Sequence, residues 1–171
     1  VSAGDATLTF TAAADLSHTK VTAVHIPDSL VEAFKNADPA QLRTFFFGRL
    51  AENRLESAVP HRKGTAAARY ALSGFSALLR ANYYGPVYYR PDQAENDEVF
   101  GAKVLFDVDL GYQATKTMYL SIGGDNVLNT FPDKQKKDAN ISSGRFIYSR
   151  NVSQFGQNGG FYYAKLELTF F

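Results

Sequence analysis

Apolar and polar residues alternate with a period of two in six stretches of the chain, the pattern of a β-strand with one apolar and one hydrated face. Over residues 6–22, Leu8, Phe10, Ala12, Ala14 and Leu16 share one parity, and Thr7, Thr9, Thr11, Asp15 and Ser17 the other. Over 64–72, Ala66, Ala68, Tyr70 and Leu72 oppose Thr65, Ala67 and Arg69. Phe75, Ala77, Leu79, Ala81 and Tyr83 then oppose Ser76, Leu78, Arg80, Asn82 and Tyr84, after a two-residue Ser73-Gly74 turn that predicts a hairpin. Val104, Phe106, Val108, Leu110 and Tyr112 oppose Lys103, Asp107, Asp109 and Gln113. Ala114-Thr115-Lys116 reads as the next tight turn, and Met118, Leu120 and Ile122 oppose Tyr119, Ser121 and Asp125. In the last stretch, 160–171, Tyr162, Ala164, Leu166, Leu168 and Phe170 oppose Tyr163, Lys165, Glu167 and Thr169.

The connections between these strands alternate long and short. Residues 27–59 read as a partly helical loop. Pro27-Asp28-Ser29 offers a helix start, Leu30, Val31 and Phe34 follow at helical spacing, and Asp38-Pro39 punctuates. Asn53 to Ala58 fits equally the end of this insertion or the start of the next strand. Residues 85–101 form a loop rich in Tyr, Pro, Asp and Glu, and 126–159 a long polar connection. Bacterial outer-membrane barrels have this rhythm, with short periplasmic turns and long extracellular loops. A soluble sheet would not leave a bare edge strand ending in Phe-Phe. In a membrane wall, a neighbouring strand removes the edge and lipid takes the apolar face.

Composition narrows the classes further. A net charge of +1 gives no electrostatic case for nucleic acid. The chain has no cysteine, which removes disulfides and thiolate metal sites. His18, His25 and His61 lack metal-ligand spacing, so no metal and no cofactor is expected. Asp107 and Asp109 share a face, but no nucleophile or base accompanies them. No phosphate-binding, dinucleotide-binding or nucleophile-elbow motif is present, so an enzyme is not expected. No apolar run approaches the roughly 18 residues of a transmembrane helix.

Several motifs, in order, carry a resemblance. Asp107-Val-Asp-Leu-Gly-Tyr112, then Leu120-Ser-Ile-Gly-Gly-Asp-Asn-Val-Leu-Asn-Thr-Phe-Pro-Asp-Lys134, resemble the C-terminal hairpin of TonB-dependent outer-membrane receptors. In that family a "D-L-x-x-x-Y" strand precedes a "G-x-x-N-L-F-D-x-x-P" segment. Asn126, Phe131 and Pro132 match, Val127-Leu128 stands for the apolar pair, and Asn129 sits where Asp is common. Pro60-His61-Arg62-Lys63, Asn82-Tyr83-Tyr84-Gly85 and Gly159-Gly160-Phe161-Tyr162-Tyr163 are similar to further family segments. The resemblance implies a barrel of about twenty-two strands, plugged by an N-terminal domain. Residues 1–171 would then be the C-terminal part of such a barrel, without plug domain or TonB box. The expected fold class is all-β: about six antiparallel strands of a larger transmembrane barrel, with a partly helical loop near 28–52. The implied function is active uptake of an iron–siderophore or other scarce ligand across a Gram-negative outer membrane, energised through TonB. The implied partners are outer-membrane lipid and lipopolysaccharide, the receptor's own plug domain, TonB through the N-terminal part, and the barrel-assembly machinery.

Three residue sets follow. Arg69, Arg80, Lys103, Asp107, Asp109, Asp125, Lys165 and Glu167 would face the lumen and plug, where charge is expected. Tyr88, Tyr89, Arg90, Arg145, Tyr148 and Arg150 lie in loops and would suit an anionic or aromatic ligand at the outer mouth. Tyr162, Leu166, Leu168, Phe170 and Phe171 would form the terminal signal read during assembly, with Phe170 rather than Phe171 carrying the apolar register. Two rivals remain open: a complete small outer-membrane barrel with a structural or adhesive role, which needs eight strands, and a soluble β-sandwich whose apolar faces form a shared core.

Overall fold

A computed structural model of the chain describes residues 2–3, 6–34 and 38–170. The assembly role expected of Phe171 falls outside these residues. The strands are β1 (Ser2–Ala3), β2 (Ala6–Leu16), β3 (Arg62–Leu72), β4 (Phe75–Tyr84), β5 (Val87–Tyr89), β6 (Glu98–Phe100), β7 (Lys103–Thr115), β8 (Met118–Asp125) and β9 (Phe161–Leu168). Helices α1 (Asp28–Ala33), α2 (Pro39–Phe46) and α3 (Arg49–Glu56) lie between β2 and β3. The main sheet has the order β1-β2-β3-β4-β7-β8-β9, and β5 pairs with β6 in a small second sheet. Every pairing is antiparallel. The chain is thus all-β in class, a meander whose long strands run up and down in sequence.

Register decides what this sheet is. Residues directly opposite share a face. One row across the sheet reads Phe10, Ala68, Leu79, Val108, Gly124, Tyr162. The neighbouring row, on the other face, reads Thr9, Arg69, Leu78, Asp109, Gly123, Tyr163. A slip of one residue in any ladder would mix the two sets. Apart from a bulge at the turn end of β7, between Gln113 and Thr115, the ladders keep their register, so six alternating patterns merge into one apolar face and one polar face. The apolar face is uncovered: Phe10 is 67% exposed, Leu79 52% and Ile122 60%. No second sheet packs on it among the described residues, and β2 and β9 do not pair with each other.

The buried core lies elsewhere. Ala58, Val87, Tyr89, Phe100 and Val152 form it, with Leu50 packed against them. Each of the three long connections contributes, so they fold together into a cap at one end of the sheet. The two tight turns lie at the opposite end. Ser73 and Gly74 both have positive φ, 45° and 88°, as a two-residue hairpin turn requires to match strand twist.

Several boundaries differ from the sequence pattern. The first strand stops at Leu16 rather than running to 22. The last contact of this ladder is Ser17 N–H to His61 O, 2.9 Å; the next partner, Pro60, has no N–H to donate. Residues Asn53–Glu56 are the end of α3 and not the start of a strand. The second tight turn is Lys116-Thr117, which shares only Lys116 with the expected Ala114-Thr115-Lys116, because β7 bulges between Gln113 and Thr115 and continues to Thr115. The last strand ends at Leu168, although Thr169 N–H still reaches Thr117 O at 2.9 Å. The β5–β6 hairpin is absent from the sequence reading: its strands have three residues each, too few for a period to register.

Two glycines on the polar face let tyrosine rings lie flat across the strands. A Cβ on Gly111 would fall 1.8 Å from the Tyr119 hydroxyl, and one on Gly123 2.6 Å from that of Tyr163. Tyr119 thereby meets Ser76 Oγ at 3.1 Å, two strands away, and Tyr163 donates to Asp109 at 2.8 Å. Gly111→Val is expected to displace Tyr119 and to cost about 1–3 kcal/mol by overpacking. Thermal or denaturant unfolding checks this; wild-type stability would show that the close packing of ring on glycine is dispensable.

Candidate functional site

The eight charged residues expected on one wall share the polar face by register. They are not a loose array. Asp107, 7% exposed, is the hub. Its Oδ2 accepts from Arg80 Nε at 2.8 Å and from Asn82 Nδ2 at 2.7 Å, and its Oδ1 from Asn126 N–H at 2.8 Å. Thr65 Oγ1 donates to Asn82 Oδ1 at 2.9 Å, and Arg80 also reaches Asp125 at 3.6 Å. Lys165 pairs with Glu167 on their own strand at 2.5 Å, and Lys103 with Asp133 at 2.6 Å. Arg69 joins no ion pair among the described residues. It lines an open cleft of about 700 Å³ at the turn end, with Ser76, Gln113, Tyr119 and Glu167.

The Asp107 hub also shapes the segment that follows β8. Asn126 has φ 51° and Asn129 φ 54°, conformations that asparagine tolerates better than most residues. Asn126 exchanges side-chain bonds with Thr130, its Nδ2 donating to Thr130 O at 2.8 Å and its Oδ1 accepting from Thr130 N–H at 2.9 Å. Asn129 Oδ1 accepts from Gly160 N–H at 2.9 Å. Val127 N–H bonds Phe106 O at 2.8 Å. These contacts tie β7, β8 and β9 together where the third long connection begins.

The six loop residues do not converge on one pocket. Tyr88 lines a cleft of about 260 Å³ with Ser57, His61, Arg62, Tyr83 and Pro86, where cap meets sheet. Tyr89, expected as a ligand contact, is a core residue: it is 7% exposed and its hydroxyl accepts from Asn151 Nδ2 at 3.3 Å. The β5–β6 pairing turns it inward, a direction its sequence neighbours do not reveal. Arg90 lies over the Tyr88 ring, 5.5 Å from the centroid, and Arg150 over Phe146 at 5.1 Å. Tyr148 stacks on Phe131 at 6.1 Å. Arg145 is exposed in a turn where its N–H bonds Ser142 O. His18 and His61 meet edge to face at 5.6 Å, and His61 Nε2 contacts Glu56 O. Tyr162, Leu166, Leu168 and Phe170 are all exposed. The first three stand on the apolar face, and Phe170 lies just past β9.

Acidic side chains clamp the cap. Arg49 holds Asp97 through two bonds, one of them 2.5 Å, and donates to Pro91 O at 2.7 Å. The Arg49 bond holds the Asp97 carboxyl below its ordinary range, outweighing partial burial, and raises the guanidinium in turn. Glu98, 8% exposed, accepts from the backbone N–H groups of Lys136 and Lys137 and from Asn140 Nδ2. It fastens the second connection to the third. Burial pushes the Asp133 carboxyl up, but the bonds from Lys103 and from Gly101 N–H pull it below its usual value. None of these clamps stood out in the sequence, because each joins positions 30 to 48 residues apart.

Both Asp97 and Asp133 have depressed folded values, so their contribution is complete above an unfolded carboxylate value of about 4. It is lost as pH falls through the lower folded values. Amide protection in 85–102 and 126–160 is therefore expected to drop between pH 6 and pH 3, after correction for intrinsic exchange rates. Unchanged protection at pH 3 would show that the clamps do not hold the cap. Compared with models of known protein families, with curated protein sequences and with solved structures, the chain matches none.

Proposed function

We propose that the chain forms part of the wall and the external loops of an outer-membrane β-barrel of the TonB-dependent receptor kind. The observation that carries this reading is the apolar face, continuous across six strands and uncovered. Its height suits a bilayer. An 11-residue strand such as β3 extends about 34 Å. At a tilt near 40° it rises about 26 Å, close to the apolar band of such barrels, about 25 Å. Among the described residues no helix is long and apolar enough to cross a membrane, so strands would do the crossing.

In this reading lipid and lipopolysaccharide cover the apolar face, and further strands continue the wall beyond β9 and beyond the edge of β2, where β1 pairs only with Ala6 and Thr7. The capped end faces outward and the two tight turns face the periplasm. The polar face lines a lumen filled by a plug domain. The cap would capture a scarce ligand such as an iron–siderophore, and TonB, acting on the plug, would drive uptake. The wall's role is to hold the loops and present a hydrated inner surface. The chain itself does no bond-making chemistry, and the exposed terminal residues around Leu166, Leu168 and Phe170 serve assembly by the barrel machinery.

Leu78 and Leu79 are neighbours on β4 with opposite directions, polar face and apolar face. Leu79→Arg is expected to cost about 2–4 kcal/mol in the membrane, as for a cation near the bilayer midplane, and Leu78→Arg close to nothing. The readout is the heat-resistant, detergent-extractable fraction in the outer membrane. Equal tolerance of the two substitutions, or recovery of the wild type in a soluble pool, would sink the proposal.

A further inference from the structure

A side-chain amide enters the cap core from the third connection. Gln154 is 6% exposed. Its Nε2 donates to Gly85 O at 2.6 Å and to Gly101 O at 2.9 Å. Those carbonyls flank the β5–β6 hairpin, one before each strand pair opens and one after it closes. The first ladder pair is Val87 with Phe100. Gln154 supplies both carbonyls with a donor from another part of the chain.

This use of both amide hydrogens fixes the amide's orientation. With oxygen and nitrogen exchanged, an oxygen would face two carbonyl oxygens. The remaining atom, Oε1, is closed to solvent and has no hydrogen-bond partner among the described residues. Buried amide oxygens are seldom left so, because the lost hydration is not recovered. Gln154 also lines a small cavity of about 10 Å³, together with Val87, Phe100, Tyr148, Ser149 and Ser153. That is room for about one water.

We infer that this cavity is a binding site for a single water molecule, which donates to Gln154 Oε1. The wall offers the rest of its coordination. Ser149 Oγ accepts from the N–H groups of Asn151 and Val152, each at 3.3 Å, which leaves its own proton for the water to accept. Ser153 Oγ is spent on Phe155 O at 2.6 Å and does not compete. The hydrated amide then joins the second and third connections at the base of the β5–β6 hairpin. This site depends only on the cap, and it stands whether or not the sheet lies in a membrane.

A high-resolution crystal structure of the full chain in detergent tests it. One ordered water about 2.7–3.0 Å from Gln154 Oε1 is expected. A dry cavity, or Oε1 taken directly by the hydroxyl of Tyr148, Ser149 or Ser153, overturns the inference. In solution, the Nε2 protons of Gln154 should show cross-relaxation with a long-lived water, and its absence counts against the site. Gln154→Met should remove that water signal and raise amide exchange at Val87 and Phe100 about tenfold, the equivalent of one net hydrogen bond. Unchanged exchange would show that Gln154 does not hold the hairpin.

Discussion

Backbone pairing in an antiparallel sheet leaves side chains no choice of direction. Once Phe10 lies beside Ala68, every second residue of both strands is committed to one side. In this chain that commitment passes through five ladders, broken only by the bulge at the turn end of β7, and its product is a sheet that is apolar on one side from β2 to β9. Such a face must be covered, because soluble proteins rarely expose contiguous apolar patches beyond a few hundred Å². Among the described residues none covers it: the small second sheet and the core-packed α3 belong to the cap. Under the proposed reading lipid would be that cover, with the charged face turned away from it.

The charged face follows a different logic. Its strands are held in lateral register by contacts that cross them, not by a packed core. Asp107 gathers Arg80, Asn82 and the Asn126 backbone, and the tyrosines lie across glycines to reach the next strand. These bonds link neighbouring strands on the polar face without covering it. Among the described residues the buried core is in the cap, where side-chain clamps and Gln154 join three separate connections. The loops are therefore one structured unit set on the wall, and a ligand would meet a shaped surface and not three independent arms.

Much of the wall was legible in the sequence because a period of two is a local property. The parities of Leu8 through Leu16, of Ala66 through Leu72 and of Tyr162 through Leu168 needed no partner to be read. So did the sharing of one face by the eight charged residues. The cap was not legible for the converse reason. Val87, Tyr89 and Phe100 sit in three-residue strands, and what makes them core is contact with Ala58 and Val152 from distant loops. Tyr89 therefore passed for a ligand residue. Gln154 sits in a polar run that reads as loop, and its role depends on the carbonyl of Gly85, 69 residues earlier. Strand ends were set by non-local partners too, as where Pro60 stops the β2–β3 ladder.

The chain contains no cysteine, so single cysteines can be placed along β4 and spin-labelled without background. Labels at Ala77, Leu79 and Ala81 on the apolar face, and at Leu78, Arg80 and Asn82 on the polar face, would be compared in the native outer membrane. Accessibility to oxygen, which partitions into lipid, is measured against that to a water-soluble nickel chelate. The expected result is a period of two, with oxygen dominant at 77, 79 and 81 and the chelate dominant at 78, 80 and 82. Uniform access of the chelate to all six positions, or the opposite phase, would contradict a lipid-facing wall.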